Sequence, residues 1–237
     1  MLVDIKRFRT KSEAAKAAQH KLNELFDAYS HLPTLFLSSG GSSLELLEGI
    51  VMFPRNATIG MTDERFFENP KINNFAKLTE TLFFEKAQDR GAYFIDTRML
   101  PREDMEIFSR RYEDSLQTWK KEHPGGRIVI TQGVGQDGHT LGIMPYPKEQ
   151  SVFQELFEGE NWVVGYDAAN RNEYSLRVTI TLPFLRMVDH SVLYITGTEK
   201  KDALSRMLSI KGMLSETPAR IIHEMKDVTV YTDIQSS

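Results

Sequence analysis

The stretch Gly133-Val134-Gly135-Gln136-Asp137-Gly138-His139-Thr140 follows an apolar run, Arg127-Ile128-Val129-Ile130-Thr131, which itself comes after Gly125-Gly126. A short run of this kind after a turn predicts a buried strand. Three glycines within positions 133–138 let the backbone turn tightly and approach a ligand. We therefore predict a strand that ends in a ligand-facing loop, because open α/β sheets bind ligands at the carboxyl ends of their strands.

Within this loop, Asp137 and His139 are separated by a single residue, Gly138. An imidazole beside a carboxylate can act as a general base near neutral pH. The alternative is a satisfied hydrogen-bonded pair without a catalytic role, and these residues alone leave both interpretations open.

The composition is that of a globular protein of 237 residues, with 41% hydrophobic and 26% charged residues. This length suits one large α/β domain or two small ones. A net charge of −4 argues against a nucleic-acid partner, and the lack of cysteine excludes disulfides, thiolate zinc sites and a cysteine nucleophile. The charged segment from Met1 to Thr10 resembles neither a signal peptide nor a membrane span, so we expect a cytoplasmic protein without membrane contact.

Predicted strands and helices alternate along most of the chain. Strands are predicted at 34–38, 57–61, 92–95, 127–131, 162–166, 175–182, 191–196 and 228–231. Helices are predicted after a capping box at 10–13, at 44–47, around 78–83, from 101 to about 121, around 203–208 and from 218. The alternation predicts an α/β fold with a mostly parallel sheet and helices on both faces. No Pro-, Gly- or Ser-rich linker divides the chain, which predicts one domain over 1–237, with residues 148–174 the least regular part.

Two further loops come at predicted strand ends. The loop Ser38-Ser39-Gly40-Gly41-Ser42-Ser43 precedes a predicted helix, an arrangement that presents free backbone N–H groups and a positive helix end to an anion. No lysine follows the glycines, so this is not a P-loop, and an ordinary turn is the alternative. Asp63-Glu64-Arg65 comes after the next strand, and a solvated charge cluster is the alternative there.

Two basic residues, Arg177 and Lys200, are further candidates for binding an anion. Arg177 lies on a predicted strand and needs a carboxylate, solvent or a ligand anion as its partner. Lys200 falls in the first turn of a predicted helix, where a cation opposes the helix dipole and a bound anion would relieve it. Because parallel strands place their carboxyl ends on one edge, we expect the loops around Gly40, Asp63 and His139 to converge there.

Several of these segments occur in an order that resembles a known family. They are Leu37-Ser-Ser-Gly-Gly-Ser42, Asp63-Glu-Arg65, Gly133-Val-Gly-Gln-Asp-Gly-His-Thr140, Arg177-Val-Thr-Ile-Thr-Leu-Pro183, Gly197-x-x-Lys200 and Pro218-Ala219. Together they resemble the motifs of the 6-phosphogluconolactonases, within the wider glucosamine-6-phosphate deaminase superfamily. The likeness extends along most of the chain.

The resemblance implies a Rossmann-like α/β fold and hydrolysis of 6-phosphogluconolactone to 6-phosphogluconate, with no metal and no organic cofactor. It implies that His139 is the base that activates water and that Asp137 orients or assists it. The residues implied in binding the sugar phosphate are Gly40, Gly41, Ser42, Asp63, Arg65, Gly135, Arg177 and Lys200. A small sugar phosphate would then be the partner, and a monomer or small homo-oligomer the expected assembly.

The chain departs from the family pattern in two loops. Ser43-Leu44 stands where the family has Thr-Pro, and Leu141-Gly142-Ile143-Met144-Pro145 stands where it has Ala-Ser-Leu-Phe-Pro. The first change removes a proline from a helix start and the second removes a hydroxyl. Both changes retain the proposed base, His139, and leave the identity of the substrate open.

Two other functions stay open. In deaminases a Glu lies five residues after the motif His, where this chain has Met144, and they favour Asp-Glu-Tyr where it has an Arg at position 65. Both differences favour a lactonase over a deaminase, and neither excludes another phosphosugar substrate. A non-catalytic sugar-phosphate sensor is the third function. The presence of Asp137 and His139 argues against it, and the two altered loops argue for it.

Overall fold

A computed structural model describes residues 2–54 and 56–235. Residues 1, 55 and 236–237, which the predicted domain includes, lie outside the described residues. The strands are β1 Leu2–Arg7, β2 Thr34–Ser38, β3 Ala57–Met61, β4 Asp63–Arg65, β5 Tyr93–Phe94, β6 Arg127–Gly133, β7 Val163–Asp167, β8 Leu176–Ile180, β9 His190–Tyr194 and β10 Asp227–Thr232. The α-helices are α1 Lys11–Ala28, α2 Asn74–Thr79, α3 Leu82–Asp89, α4 Met105–Glu122, α5 Gln150–Phe157, α6 Leu182–Met187 and α7 Lys201–Leu208. Short 3-10 helices span Gly41–Gly49, Ala169–Arg171, Thr198–Lys200 and Pro218–His223.

The larger sheet has seven parallel strands in the order β1-β10-β9-β6-β2-β3-β5. Successive side chains of a strand point to opposite faces, so Leu35 of β2 joins one apolar cluster and Phe36 the other. Helix α4 contributes Phe108 to the first cluster and α1 contributes Leu22 to the second. The predicted α/β fold, a mostly parallel Rossmann-like sheet with helices on both faces, is confirmed.

Local capping sets where the two longest helices begin. The Thr10 side chain accepts the N–H of Glu13 at 3.1 Å, as the capping spacing predicted, and α1 follows. The prediction that Pro101 opens the next long helix is wrong, because α4 begins at Met105. There the Asp104 carboxylate accepts the N–H of Ile107 at 2.8 Å and satisfies a donor of the first turn.

A second sheet, with the antiparallel order β4-β8-β7, was not predicted from the sequence. It places the Asp63-Glu64-Arg65 motif in a strand of its own, paired with β8 so that Arg65 lies opposite Arg177. A strand of three residues is too short to show a period of two, which is why the pattern did not reveal it.

Four other segments differ from the predictions. The strand predicted over 175–182 ends at Ile180, and α6 then begins with Pro183 in its first turn, a position that needs no N–H donor. The helix predicted at 44–47 is the 3-10 helix Gly41–Gly49. The segment treated as irregular contains α5, whose Phe153 and Phe157 are buried, and β1 was not predicted.

The order of the strands creates a crevice at the middle of the larger sheet. β2 pairs with β3 on one side and with β6 on the other. The chain therefore runs from β2 to β3 on one side of β2 and later returns to form β6 on the other side. As a result, the loops that follow β2 and β6 diverge at the carboxyl edge of the sheet. Such a reversal of strand order is where doubly wound sheets bind ligands.

Candidate active site

A cleft of about 400 Å³ opens at this crevice. Predicted site residues that line it are Gly40, Gly41, Ser42, Asp63, Arg65, Gly135, His139, Arg177 and Lys200. Asp137 does not line the cleft but contacts the imidazole of His139. Turns far apart in the sequence thus meet around one space, as the parallel arrangement led us to expect, while the role of each residue stays a prediction.

The imidazole of His139 is oriented by its near neighbour. Its Nδ1 lies 2.6 Å from Oδ1 of Asp137, and the same oxygen accepts the His139 backbone N–H at 3.1 Å. Partial burial raises the pKa of Asp137, but the hydrogen bonds and charge of His139 outweigh it and hold that pKa below its usual 3.8. An ionised carboxylate fixes the proton on Nδ1, and within residues 2–54 and 56–235 no protein atom hydrogen-bonds Nε2.

Gly135 lies directly against this imidazole. A Cβ at position 135 would stand 2.1 Å from Cε1 and 2.2 Å from Nδ1 of His139, well inside van der Waals contact. The glycine is therefore required by the close approach of the ring and is not only a source of chain flexibility.

The two glycines after β2 serve different steric needs. A Cβ on Gly40 would lie 2.5 Å from Oδ1 of Asn74, which lines the cleft and donates from Nδ2 to the carbonyl of Asp63. Gly41 has open space around it but a φ of +62°, which favours glycine for conformational reasons. Gly40 also precedes the first turn of the 3-10 helix without a side-chain cap, which leaves backbone N–H groups at the cleft edge.

Arg177 is bound by protein groups on several sides. Its Nη1 lies 3.3 Å from Oδ2 of Asp63, its Nε donates to the carbonyl of Tyr174 at 2.9 Å, and its Nη2 donates to Oδ1 of Asn172 at 2.7 Å. The side chains of Asp63 and Arg177 are only 6% and 7% exposed. The two predicted binding residues therefore neutralise each other in the wall of the cleft.

Arg65 and Lys200 are the cations of the cleft that form no ion pair with a carboxylate of the described residues. The guanidinium of Arg65 lies over the ring of Tyr174, 4.8 Å from its centre, and donates to the carbonyl of Ile72 at 3.3 Å. Burial lowers the pKa of Lys200, because the charged form loses hydration. An anion in the cleft would find its positive partners in these two side chains.

Glu64 supports this wall from behind, a role that the sequence did not reveal. Its carboxylate accepts the backbone N–H groups of Arg65, Asn74 and Phe75 at 2.6–2.9 Å and the hydroxyl of Thr97 at 3.2 Å. Burial raises the pKa of Glu64 to about 8, against the effect of the backbone donors. These contacts connect the first turn of α2 to β4 and so hold Arg65 and Asn74, which both line the cleft, in place.

Sequence reasoning missed several residues that line the cleft. They are Ser39, Asn74, Val134, Leu141, Asn172, Glu173 and Tyr174. Leu141 has a φ of +55° in the turn that Ile143 closes by donating to the carbonyl of Thr140 at 2.9 Å. A leucine rarely adopts that conformation. Ser39, Val134 and Leu141 lie in segments that the sequence singled out without a role for them, whereas Asn74, Asn172, Glu173 and Tyr174 belong to no motif.

Across the described residues, no group of three or more His, Asp or Glu side chains is arranged to hold a metal ion. In the same part of the chain, no helix has the length and apolar character needed to cross a membrane.

Comparisons with known proteins place the chain in a family. A model of glucosamine-6-phosphate isomerases/6-phosphogluconolactonase matches residues 9–231. The chain belongs to this family. Two relatives are the 6-phosphogluconolactonases of Chlamydia muridarum, 30% identical over 187 residues, and of Xylella fastidiosa strain 9a5c, 26% identical over 191 residues. The first match covers 74% of this chain but 65% of the relative, less than two thirds of its length, and the second covers 76% and 74%.

The structural comparison agrees with this family assignment. The crystal structure of a 6-phosphogluconolactonase from Shewanella baltica superposes with a TM-score of 0.78 and 19% sequence identity, over 98% of this chain and 97% of the other. At that identity the likeness establishes the fold of the family. The resemblance that the motifs suggested is confirmed.

Proposed function

We propose that this chain hydrolyses 6-phosphogluconolactone to 6-phosphogluconate. The main observation behind the proposal is the imidazole of His139, held at 2.6 Å by Asp137 in a cleft that also contains Arg65, Lys200 and the turn at Gly40. The residues proposed as base and as anion site thus share one cleft, and its volume suits a sugar phosphate. The names of the relatives add support, since they are lactonases of the same family.

In the proposed reaction, Nε2 of His139 accepts a proton from a water molecule while its oxygen attacks the lactone carbonyl carbon. The carbonyl oxygen becomes an oxyanion, and the donors proposed for it are backbone N–H groups of the glycine turns. The intermediate then expels the ring oxygen, and the imidazolium returns its proton to that oxygen to give the open-chain acid. Asp137 stabilises the imidazolium between the two transfers and keeps the tautomer that leaves Nε2 available.

The phosphate is proposed to lie between the turn Gly40-Gly41-Ser42 and the side chains of Arg65 and Lys200. A dianion suits backbone N–H groups and cations that are not already neutralised. Asp63 and Arg177, which were predicted to bind substrate, form a buried pair with each other, so we assign them to the architecture of the wall.

A deaminase is the second candidate within the family, and the environment of position 144 argues against it. Met144 is fully buried and has no titratable group, so it cannot take the part of an acid that opens a sugar ring. A non-catalytic sensor would keep the anion site without needing the contact between Asp137 and His139.

The decisive experiment mixes pure protein with fresh 6-phosphogluconolactone and follows acid release above the spontaneous rate. We expect turnover by the native chain and a loss of about 10²-fold or more in His139→Ala, because the base is removed. The control is His20→Ala, which removes an exposed histidine of α1 and should hydrolyse the lactone normally. Binding of 6-phosphogluconate without turnover by the native chain would instead identify a sensor.

The cellular location and assembly belong to the same proposal. A cytoplasmic protein acting on a free sugar phosphate, without nucleic-acid partners and as a monomer or small homo-oligomer, is the form we expect. Light scattering on the pure protein, with and without 6-phosphogluconate, measures the assembly.

A further inference from the structure

Tyr174 covers one face of the Arg65 guanidinium at the rim of the cleft. The centre of its ring lies 4.8 Å from Cζ of Arg65, and both residues line the cleft. Phe67 packs edge-on against Tyr174, with 6.4 Å between ring centres. Arg65 donates from Nη1 to the carbonyl of Ile72, while its Nε is buried with no hydrogen-bond partner among the described residues. The guanidinium is therefore held by the face of the Tyr174 ring and by one backbone carbonyl.

The position of Tyr174 is in turn fixed by buried groups. Arg177 donates from Nε to the carbonyl of Tyr174 at 2.9 Å and from Nη2 to Oδ1 of Asn172 at 2.7 Å. The same Asn172 oxygen accepts the backbone N–H of Tyr174 at 3.2 Å. Because Arg177 is itself paired with Asp63 in the interior, the segment that carries Tyr174 is anchored to the sheet although it lies at the surface.

We propose that Tyr174 is a positioning residue for the phosphate-binding arginine, Arg65, an inference that rests on the proposed function. An aromatic face attracts a guanidinium through its quadrupole but carries no negative charge. A carboxylate in the same place would also fix Arg65, but it would neutralise the cation and compete with a bound phosphate. The ring holds the guanidinium without neutralising it and leaves N–H groups of Nη1 and Nη2 for the dianion.

The buried Asp63–Arg177 pair then has a defined place in this arrangement. Arg177 holds the segment 172–174 through its hydrogen bonds, and Tyr174 of that segment holds Arg65. The neutralised pair therefore contributes to anion binding without contacting the anion. This accounts for two cleft arginines that differ in their contacts and opposes the simpler view that both bind phosphate directly.

The test compares Tyr174→Ala with Tyr174→Phe, which keeps the aromatic face. For 6-phosphogluconolactone we expect Tyr174→Ala to raise KM about 10-fold with kcat within about 2-fold, since the lost contact orients a binding group. Tyr174→Phe should retain the native KM, because the ring and not the hydroxyl makes the contact. A Phe variant as impaired as the Ala variant would overturn the proposal.

A double-mutant cycle with Arg65→Ala tests whether Tyr174 acts through Arg65. In that background, Tyr174→Ala should raise KM by less than about 2-fold further, because the group that it positions is already gone. A further rise as large as in the native background would show that Tyr174 acts independently and would sink the idea. Melting temperatures of all four proteins verify that each remains folded at the assay temperature.

Binding of 6-phosphogluconate, measured by calorimetry on the same four proteins, separates this inference from the proposed function. Coupled losses of affinity without turnover by the native chain would remove the lactonase assignment and keep Tyr174 as the positioning residue. Turnover by the native chain with additive losses would keep the lactonase and remove the role of Tyr174.

Discussion

Two pairs at the cleft, each made of a carboxylate and a basic side chain, differ in their exposure to solvent. Asp137 and His139 are 44% and 28% exposed, whereas Asp63 and Arg177 are 6% and 7% exposed. A partly hydrated imidazole can change protonation state and meet a ligand. A buried pair is locked, because removing either charge strands the other in a medium that solvates it poorly. Burial and residue type together separate a pair suited to chemistry from one suited to architecture, because an imidazole can exchange a proton near neutral pH whereas a guanidinium stays charged.

The largest effect that would test this contrast is on stability. We expect Arg177→Met to lower the free energy of unfolding by about 3–5 kcal/mol, because Asp63 keeps a buried charge without its partner. Urea denaturation measures the loss. The control is Arg186→Met, which breaks a pair with Glu224 whose side chains are 38% and 40% exposed, and which should cost less than about 1 kcal/mol. Equal losses in the two variants would refute the contrast.

The second effect is on turnover. We expect Asp137→Asn to reduce kcat for 6-phosphogluconolactone by about 10²-fold, because an amide can donate to Nδ1 and place the imidazole proton on Nε2. The thermal midpoint should change little, since the pair is partly exposed. Asp227→Asn provides a matched control, because Asp227 contacts Nδ1 of His190 at 2.8 Å outside the cleft. Activity lost equally in both variants would mean that the pair near the cleft has no special role.

A smaller effect is expected from replacing Gly135, which lies against the imidazole of His139. Gly135→Ala places a methyl group where the ring of His139 now lies, so the ring must move, and we expect kcat to fall about 10-fold. Gly125→Ala is the control, because a Cβ there meets no atom within 4 Å. Steady-state kinetics on both variants decides the matter, and full activity of Gly135→Ala would show that ring placement is not critical.

The smallest effect concerns pH. The hydrogen bonds and charge of His139 hold the pKa of Asp137 below its usual 3.8, so ionised Asp137 stabilises the folded chain above that pH, and this contribution is lost as pH falls through the lowered pKa. Because the pair is partly exposed, we expect the native chain to lose at most about 1 kcal/mol more unfolding free energy than Asp137→Asn between about pH 6 and about pH 3. Urea denaturation of both proteins at the two pH values measures the difference. Equal losses would show that ionised Asp137 does not stabilise the fold.

The sequence predicted the fold through features that are local. Short apolar runs identified β2, β3 and β6 within a residue or two of their observed ends. Parallel strands buried on both faces have such runs, because nearly every side chain contacts the core. It failed where order is imposed by distant partners. The strand β4 has three residues and exists through its pairing with β8. The expected start of α4 at Pro101 failed for a local reason, because Asp104 caps the helix that begins at Met105.

For the site, the sequence predicted which loops lie at the cleft but not what each side chain contacts. Nine of the ten predicted residues line the cleft, and their roles await experiment. Asn74 and Tyr174 carry no motif, so nothing in the sequence placed them beside Gly40 and Arg65. The partner of Arg177 was left open between carboxylate, solvent and ligand, and the structure supplies a carboxylate.

Sequence by itself determined the α/β class, the glycine-rich turns at strand ends and the contact of Asp137 with His139, because hydrogen bonds and steric limits over a few residues need no distant partner. Tertiary structure alone decided which cations are neutralised. Asp63 and Arg177 are 114 residues apart and become a buried pair through the second sheet, whereas Arg65 is left with an aromatic face. Charge pairing depends on burial and proximity, and both are set by how the whole chain packs.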